Sequence, residues 1–457
     1  MQQTISNNFS RPLFLLSCPL SLIFLASCFL LILSCSIQKN ISTQNNNQNP
    51  LNDSLLQSAH VGISVFDATS NQQILDYQGN KYFTPASNTK LFSLYAGMKY
   101  LGDSLIGIRY IERDTDILIL PSGDPTLLHP DYPKQPVVDF LKWKKRNIYI
   151  SDANWKDQAW GLGWSWDDYN GDDMTDRSPM PVYANVIRWA QTQVSDGTFS
   201  SFSIPDVNWK VVFSSDSTSK NFSVKRNLDE NVFEITQGTE KYKEEKIPFV
   251  TKGLESAVEL LKDTIGKNIF INHSPLTNHH SPFTILHSQP VDSLFRPMMF
   301  RSDNFFAEQT LLMVSNEKLG IMNDEKIVDT LLKTDLKDLP QKPEWADGSG
   351  LSRFNLFTPQ DFVWLLNKMK DKFGLERMKR ILPTGGTGTL GNRYKQDSGY
   401  IFAKTGSLTG VATLSGYLIT QKNHLLIFSI LVNNYTVSGA RIRDAFEKFV
   451  SGLRRKY

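Results

Sequence analysis

The pattern of hydrophobic and polar residues changes sharply over the first part of the chain. Residues 12–37 carry no charge and are mostly Leu, Ile, Phe and Ser, between Arg11 and Lys39. Such a stretch is typical of an export signal or a membrane anchor. The Asn- and Gln-rich segment that follows has no apolar periodicity, which favours a flexible tether. We therefore expect a leader or anchor over residues 1–38 and a tether over residues 39–56.

Beyond the tether, the pattern predicts a β-hairpin followed by a helix. Residues 60–67 alternate between polar and apolar, a turn is expected near Asn71, and residues 73–77 return with strand character. Residues 88–101 then carry apolar side chains at helical spacing. Ser87 is therefore expected at the start of a helix that follows a pair of strands.

The last part of the chain predicts three more strands and a closing helix. Residues 401–404, 411–420 and 424–432 have strand character, and residues 440–453 show an amphipathic helical pattern. Strands near both ends of the chain, with helices between them, indicate one α+β domain. Its sheet would be completed only when the chain returns.

The segment between these two parts differs from them in its pattern of apolar and polar residues. Short strand-like runs at 147–150, 209–213 and 232–235 are separated by polar turns, and only 254–265 has clear helical periodicity. We expect residues 108–285 to form one or two β-rich domains that are inserted into the α+β domain.

The host domain would then consist of residues 57–107 and 286–457. Helices are expected to dominate its second part. Ser302 or Asp303 can cap the first of them, over residues 304–319.

Composition narrows the classes of function. The net charge is +3, with charges of both signs mixed along the chain, which does not favour nucleic-acid binding. The chain has three cysteines, and all of them lie in the leader, so the remainder has no thiol and cannot form a disulfide. A cysteine nucleophile is therefore excluded.

The leader offers two candidate lipidation sites. Small residues precede both Cys28 and Cys35, as at bacterial lipoprotein cleavage sites, and only Cys35 is followed at once by polar chain. We favour Cys35 as the lipidated residue, with Cys28 as the alternative. A third possibility is an uncleaved N-terminal anchor helix with unmodified cysteines, because the apolar run is long enough to span a bilayer.

Three short motifs occur in the order expected of a serine acyl-transferase: Ser87-x-x-Lys90, Ser302-Asp303-Asn304 and Lys404-Thr405-Gly406. Together they supply an activated serine, a proton relay and a carboxylate clamp. Taken alone, the first motif could be a helix cap with a solvated lysine, and the second could also be a helix cap. The third could be an ordinary strand-to-turn junction. Their ordered combination favours a catalytic site.

Context selects Ser87 from several serines followed by a lysine three residues later. The others begin at Ser36, Ser217 and Ser315, which fall in the leader, in a polar turn and near the end of a surface helix. Only Ser87 begins an apolar-faced helix, with Lys90 one turn later and beside it. The start of a helix also favours the negative charge that develops at an attacking serine.

The Lys-Thr-Gly motif is expected to end a strand. Lys404 would then lie at an edge, where it can meet a carboxylate. Gly406 would let a substrate backbone approach without a Cβ in the way.

From about His60 to its end, the chain resembles the peptidase S13 family, penicillin-binding proteins of the D-Ala-D-Ala carboxypeptidase/endopeptidase group with a large insertion. Besides the three motifs, the resemblance includes Ser-Gly-Asp-Pro-Thr at 122–126, Trp-Ser-Trp-Asp-Asp at 164–168 and the stretches 347–352 and 382–390. It implies a β-lactamase-like transpeptidase domain of the α+β class, with an antiparallel sheet flanked by helices and interrupted by the β-rich insertion.

The resemblance also implies roles for the first motif. Ser87 would attack the peptide carbonyl of D-Ala-D-Ala, and neutral Lys90 would take its proton. The pKa of Lys90 would have to fall by roughly three units for this, through burial and the positive charge of Lys404. The backbone N–H groups of Ser87 and Ser407 would form the oxyanion hole.

The other two motifs would handle the leaving group and the substrate. Ser302 would pass a proton to the departing D-alanine, and Asn304 would hold the peptide amide. Lys404, Thr405 and Ser407 would bind the terminal carboxylate. The family more often has Thr where Ser407 stands, but both the hydroxyl and the N–H group survive.

An aromatic loop at 160–169 contains Asp167 and Asp168. These carboxylates would either meet the amino group of a diaminopimelate side chain or belong to a loop that simply packs the inserted domain.

The sequence thus predicts an exported, lipid-anchored serine DD-peptidase that acts on peptidoglycan stem peptides, is acylated by β-lactams and needs no cofactor or metal. One alternative is a cell-wall-binding scaffold of the same fold without turnover. The other is a β-lactamase, although the long insertion and the absence of an obvious deacylating Glu motif argue against it.

Overall fold

A computed structural model describes residues 51, 56–215, 218–274 and 282–457. The leader with Cys28 and Cys35, nearly all of the expected tether, and Ser217 lie outside the described residues. In the described part of the chain, no helix combines the length and the apolar character needed to cross a bilayer.

The strands follow one another along the chain as β1 (His60–Asp67), β2 (Gln72–Tyr77), β3 (Ser104–Glu112), β4 (Asp116–Pro121), β5 (Asn147–Ser151), β6 (Val186–Gln193), β7 (Phe199–Ile204), β8 (Lys210–Phe213), β9 (Ser223–Arg226), β10 (Val232–Thr236), β11 (Tyr242–Pro248), β12 (Ile269–Asn272), β13 (Thr284–Pro290), β14 (Ile401–Leu408), β15 (Val411–Ile419) and β16 (Leu425–Asn433).

The α-helices are α1 (Lys90–Tyr100), α2 (Pro136–Trp143), α3 (Glu255–Ile265), α4 (Val291–Phe300), α5 (Asn304–Leu319), α6 (Asp324–Lys333), α7 (Pro359–Phe373), α8 (Leu375–Ile381) and α9 (Gly439–Lys456).

The central sheet joins the two ends of the described chain. Its strand order is β14-β15-β16-β1-β2, and every neighbouring pair is antiparallel. The predicted hairpin is therefore confirmed as β1 and β2, and β1 pairs with the late strand β16, as expected of a sheet completed by the returning chain.

Helices cover both faces of this sheet. Along β16, Ile427 faces a cluster that includes Phe92 of α1 and Leu366 of α7, whereas the next residue, Phe428, packs with Phe446 of α9. Because both faces are buried, the strand is apolar at nearly every position instead of alternating. The expected antiparallel sheet flanked by helices is confirmed.

The prediction that a strand ends at Lys404 is wrong. β14 continues to Leu408 and pairs with β15 along its whole length, from Ile401 opposite Leu418 to Leu408 opposite Val411. The polar and small residues of the motif resemble a turn in the sequence, but the hairpin turn comes only after Leu408. The motif therefore lies inside the edge strand of the sheet.

The helix after the hairpin begins slightly later than predicted. A short 3-10 helix, Ala86–Thr89, carries Ser87, and the α-helix begins at Lys90. Asp303, and not Ser302, caps α5 by accepting a hydrogen bond from the backbone N of Phe306 at 3.0 Å. α5 is buried over most of its length, Ser315 included, so it is not the surface helix that the sequence indicated.

The insertion contains three sheets around one hydrophobic cluster. Their strand orders are β12-β5-β4-β3-β13, β11-β6-β7 and β8-β10-β9. The cluster includes Ile108 of β3, Trp189 of β6 and Phe233 of β10, so all three sheets contribute to it. A shared core favours one inserted domain over two.

The ends of the insertion are set by strand pairing. β3 and β13 pair with each other, from Ser104 opposite Pro290 to Tyr110 opposite Thr284. The boundaries expected at residues 107 and 286 fall inside these two strands. We therefore propose Ser104 and Pro290 as the ends of the insertion.

Candidate active site

Ser87 and Lys90 meet at the junction between the 3-10 helix and α1. Lys90 is fully buried, and its Nζ lies 2.9 Å from Ser87 Oγ and 2.6 Å from Asn304 Oδ1. It also donates a hydrogen bond to the backbone O of Ser349 at 2.8 Å. The lysine is thus held against the serine by groups from two distant parts of the chain.

Lys404 makes a second contact between motifs. Its Nζ lies 2.8 Å from Ser302 Oγ and 2.7 Å from the backbone O of Thr405. Ser302 has a φ of 63°, in the left-handed region that residues other than glycine rarely adopt. Such conformations are often found at functional sites, and Ser302 is the residue whose hydroxyl contacts Lys404.

Gly406 allows β14 to pack against the turn that carries Ser87. A Cβ at this position would lie 2.2 Å from Thr413 Oγ1, 2.8 Å from the backbone O of Pro85 and 3.0 Å from the backbone N of Ser87. Thr413 Oγ1 in turn donates a hydrogen bond to the same Pro85 oxygen at 2.8 Å. The glycine thus has a packing role that the sequence did not indicate.

The three motifs line one cleft of about 410 Å³. It contains Ser87, Ser302, Asn304 and the strand segment Thr405, Gly406, Ser407 and Leu408. The cleft is also lined by Gly350, Leu351 and Thr389, from the stretches 347–352 and 382–390, and by three residues that the sequence analysis did not single out: Asp173, Arg301 and Arg443.

Asp167 and Asp168 do not line this cleft. They belong to an exposed 3-10 turn, Trp166–Asp168, and Asp167 accepts a hydrogen bond from Ser165. The next short turn, Asp172–Met174, reaches the cleft instead, and the backbone O of Asp173 accepts a hydrogen bond from Asn304 Nδ2 at 2.9 Å. The acidic residue of this region that lines the cleft is Asp173, which lies just beyond the loop 160–169 that the sequence analysis singled out.

The two buried lysines have different pKa shifts. Burial lowers the pKa of Lys90 to about 8, against the opposing effect of nearby carboxylates, chiefly Asp347 and Glu308. Burial, followed by the positive charge of Lys90, holds the pKa of Lys404 well below its usual value. The positive charge of Lys404 is not among the causes of the shift at Lys90, so the expectation that it lowers the pKa of Lys90 is not supported.

A buried ion network lies behind Lys90. Glu308 Oε1 accepts a hydrogen bond from the backbone N of Ser349 at 2.7 Å, and the oxygen of that same residue accepts one from Lys90. Arg177 of the insertion lies 3.5 Å from Glu308, 2.9 Å from Asp157 and 2.5 Å from Asp324. Burial raises the pKa of Glu308 to about 7. The sequence offers no motif that points to this network.

The chain is similar to known proteins over most of its length. A family model described as the D-Ala-D-Ala carboxypeptidase 3 (S13) family matches residues 43–455. The D-alanyl-D-alanine carboxypeptidase DacB of Haemophilus influenzae is 25% identical over 436 residues, which cover 86% of this chain and 89% of that protein. A D-alanyl-D-alanine carboxypeptidase of an Actinomadura species is 22% identical over 435 residues, 84% of this chain and 80% of that protein.

Solved structures show the same fold. The crystal structure of penicillin binding protein 4 (dacB) from Haemophilus influenzae matches with a TM-score of 0.69 and 20% identity, and covers 87% of this chain and 97% of that one. The expected penicillin-binding fold is therefore confirmed.

Proposed function

The chain belongs to the D-Ala-D-Ala carboxypeptidase 3 (S13) family, and from this membership we propose that it is a serine-type D-Ala-D-Ala carboxypeptidase of the cell wall. Its substrates are peptidoglycan stem peptides that end in D-Ala-D-Ala, and it also cuts their cross-links as a DD-endopeptidase. The observation that carries the proposal is the contact of Lys90 Nζ with both Ser87 Oγ and Asn304 Oδ1, at 2.9 and 2.6 Å.

Ser87 is the nucleophile in this proposal. Its Oγ attacks the carbonyl carbon between the two D-alanines while its proton moves to neutral Lys90 Nζ. The carbonyl oxygen becomes an oxyanion, which the backbone N–H groups of Ser87 and Ser407 would stabilise by about 3 to 4 kcal/mol each. As the C–N bond breaks, an ester forms at Ser87.

The departing D-alanine nitrogen needs a proton at this point. Ser302 lines the cleft and would relay to that nitrogen the proton that Lys90 took from Ser87. Water then attacks the ester, and its proton returns through Lys90 to Ser87 as the shortened peptide leaves. The enzyme is restored without any cofactor.

Lys404, Thr405 and Ser407 would bind the terminal carboxylate of the substrate, while Asn304 holds the peptide amide. Burial and the charge of Lys90 hold the pKa of Lys404 low. A carboxylate beside a lysine favours its ammonium form. The terminal carboxylate of the substrate would therefore stabilise the positive charge at Lys404.

Asp173, instead of Asp167 or Asp168, would contact an amino group on the substrate side chain. This assignment is supported by its position in the cleft beside Asn304, the residue proposed to hold the peptide amide.

β-Lactams would acylate the same serine, since they present a carbonyl and a carboxylate to the same groups. In support, penicillin binding protein 4 (dacB) from Haemophilus influenzae, whose structure matches with a TM-score of 0.63, has been crystallised in complex with a β-lactam. Gel labelling with a fluorescent penicillin tests the proposal. The wild-type protein should take the label and a Ser87→Ala variant should not; equal labelling of the two would rule Ser87 out.

The cell envelope is the location that such substrates require. We extend the proposal to export and to anchoring through a lipid on Cys35, with Cys28 as the alternative. Metabolic labelling with a fatty acid analogue should mark the wild-type protein and fail to mark a Cys35→Ser variant.

A further inference from the structure

A second cavity, of about 440 Å³, adjoins the catalytic cleft. Asp173, Arg301, Ser302 and Asn304 line both spaces, so the two are continuous at the N-terminal end of α5. The outer wall of the second cavity comes from the insertion. No step of the proposed reaction uses this wall.

The wall is a row of residues across three neighbouring strands. Lys246 of β11 lies directly opposite Arg188 of β6, and Arg188 lies directly opposite Ile204 of β7. All three line the cavity. Side chains of directly opposed residues in antiparallel strands project to the same face about 5 Å apart. The side chains of Lys246 and Arg188 therefore lie next to each other on this wall.

These two cations have no carboxylate within hydrogen-bonding distance in the described residues, although, against the effect of burial, Arg301, His129 and then Lys246 lower the pKa of Asp131 in the same cavity. Arg188 Nη1 is 3.9 Å from Glu244 Oε2, which is too long for a hydrogen bond. In the described ranges, no carboxylate oxygen lies within 4.0 Å of Lys246 Nζ. Like charges directly opposite each other on paired strands are destabilising. An anion bound between them would relieve this repulsion.

Four aspartates line the rest of the cavity: Asp131, Asp172, Asp173 and Asp303. Asp131 is paired with Arg301, and Asp303 caps α5 and lies 3.3 Å from the same arginine. Asp173 lies on the shared side, toward the cleft. Arg301 is therefore paired within the cavity, whereas Arg188 and Lys246, on the wall formed by β6 and β11, have no carboxylate within hydrogen-bonding distance in the described residues.

We propose that Arg188 and Lys246 bind a carboxylate of the stem peptide that lies upstream of D-Ala-D-Ala. The proposal rests on the function proposed above: with the reacting carbonyl at Ser87 and the peptide amide at Asn304, the upstream chain passes Asn304 into the second cavity. A carboxylate two residues before the reacting D-alanine is reached by roughly 7 Å of extended chain. The insertion thus recognises the part of the substrate that the catalytic motifs do not contact.

Two synthetic pentapeptides that end in D-Ala-D-Ala test this site. In one the second residue bears a free carboxylate, and in the other a carboxamide. Lys246→Gln and Arg188→Gln should each raise KM for the carboxylate peptide about two- to fivefold, the effect of one exposed ion pair, and leave KM for the carboxamide peptide unchanged. Lys243→Gln removes an exposed charge from the same strand outside the cavity and is the control, with no change expected for either peptide.

Benzylpenicillin separates this proposal from the function on which it rests, because it lacks the upstream chain. Each variant should be acylated at the wild-type rate. If KM changes equally for both peptides, or for neither, the carboxylate site is overturned while the peptidase function stands. If the wild-type protein cleaves neither peptide and takes no penicillin, the function and the site are both overturned.

Discussion

Lys90 and Lys404 are both fully buried, but their neighbours differ. Lys90 has the carboxylates of Asp347 and Glu308 nearby, which partly offset the effect of burial and leave its pKa at about 8. For Lys404, burial and the charge of Lys90 act in the same direction. The motifs predicted that Lys90 lies beside Ser87 and that burial lowers its pKa. They did not predict the contact of Lys404 with Ser302, or the opposing effect of Glu308 and Asp347, because these groups approach from other segments.

The pKa of Lys90 predicts a pH dependence for acylation. The lysine acts as a base only when it is neutral, and with a pKa of about 8 only about a tenth of it is neutral at pH 7. The rate constant for acylation by a penicillin should rise about tenfold per pH unit below pH 8 and level off above it. Stopped-flow or gel measurements from pH 5.5 to about 9.5 test this, and a rate that falls across the range would contradict it.

Replacing Glu308 by glutamine should move the rising limb of that profile to lower pH. The ionised carboxylate raises the pKa of Lys90, so its removal makes the lysine a base at more acidic pH. Glu317→Gln is the control, because Glu317 lies on the same helix but pairs with Arg109, 2.6 Å away. The idea fails if the Glu308→Gln limb stays in place or moves to higher pH in a folded protein.

At the scale of elements, the catalytic geometry depends on how β14 packs against the turn that holds Ser87. Local pattern was enough to predict the hairpin, the helix after it and the closing strands. It was not enough to predict that β14 continues past Lys404, because that depends on pairing with β15. The same non-local packing gives Gly406 its closest neighbours, Thr413 and Pro85.

Gly406→Ala should damage both stability and acylation. The new Cβ would meet Thr413 Oγ1 at 2.2 Å and push the strand from the turn, at a cost of about 1 to 3 kcal/mol. Displacement of Ser87 should slow penicillin acylation by about tenfold or more. Thermal unfolding and labelling rates measure the two effects.

Gly452→Ala is the matched control for this substitution. Gly452 lies in α9, and a Cβ there would have no atom within 4 Å among the described residues. Alanine is the better helix former, so stability should rise by about 0.5 to 1 kcal/mol with no effect on acylation. Equal behaviour of the two variants would show that the clash at Gly406 is unimportant.

At the scale of the whole molecule, Asp173, from the segment between β3 and β13, lines the same cleft as the three motifs. The short strand-like runs and polar turns of residues 108–285 predicted an insertion. The sequence could not predict which residues of the insertion line the cleft, because Asp173 and the exposed Asp167 lie in two successive short turns of similar polar composition. Arg177, which joins the insertion to Glu308, has no sequence signature either.

Arg177→Ala should destabilise the protein strongly. The side chain is only 1% exposed and lies within 4 Å of Asp157, Glu308 and Asp324. Its loss leaves buried carboxylates without their cation, at a cost of about 3 to 5 kcal/mol. Lys333→Ala, which removes one partner of an exposed ion pair with Asp329, should cost less than about 0.5 kcal/mol. Urea denaturation compares the two, and similar losses would contradict a structural role for the buried network.

Product identification tests the central claim most directly. A stem pentapeptide that ends in D-Ala-D-Ala is incubated with the purified protein, and the products are analysed by mass spectrometry. We predict free D-alanine and the tetrapeptide with the wild-type protein, and intact pentapeptide with Ser87→Ala. An intact pentapeptide after incubation with the folded wild-type protein, or equal D-alanine release by the variant, would contradict a serine D-Ala-D-Ala carboxypeptidase that acts through Ser87.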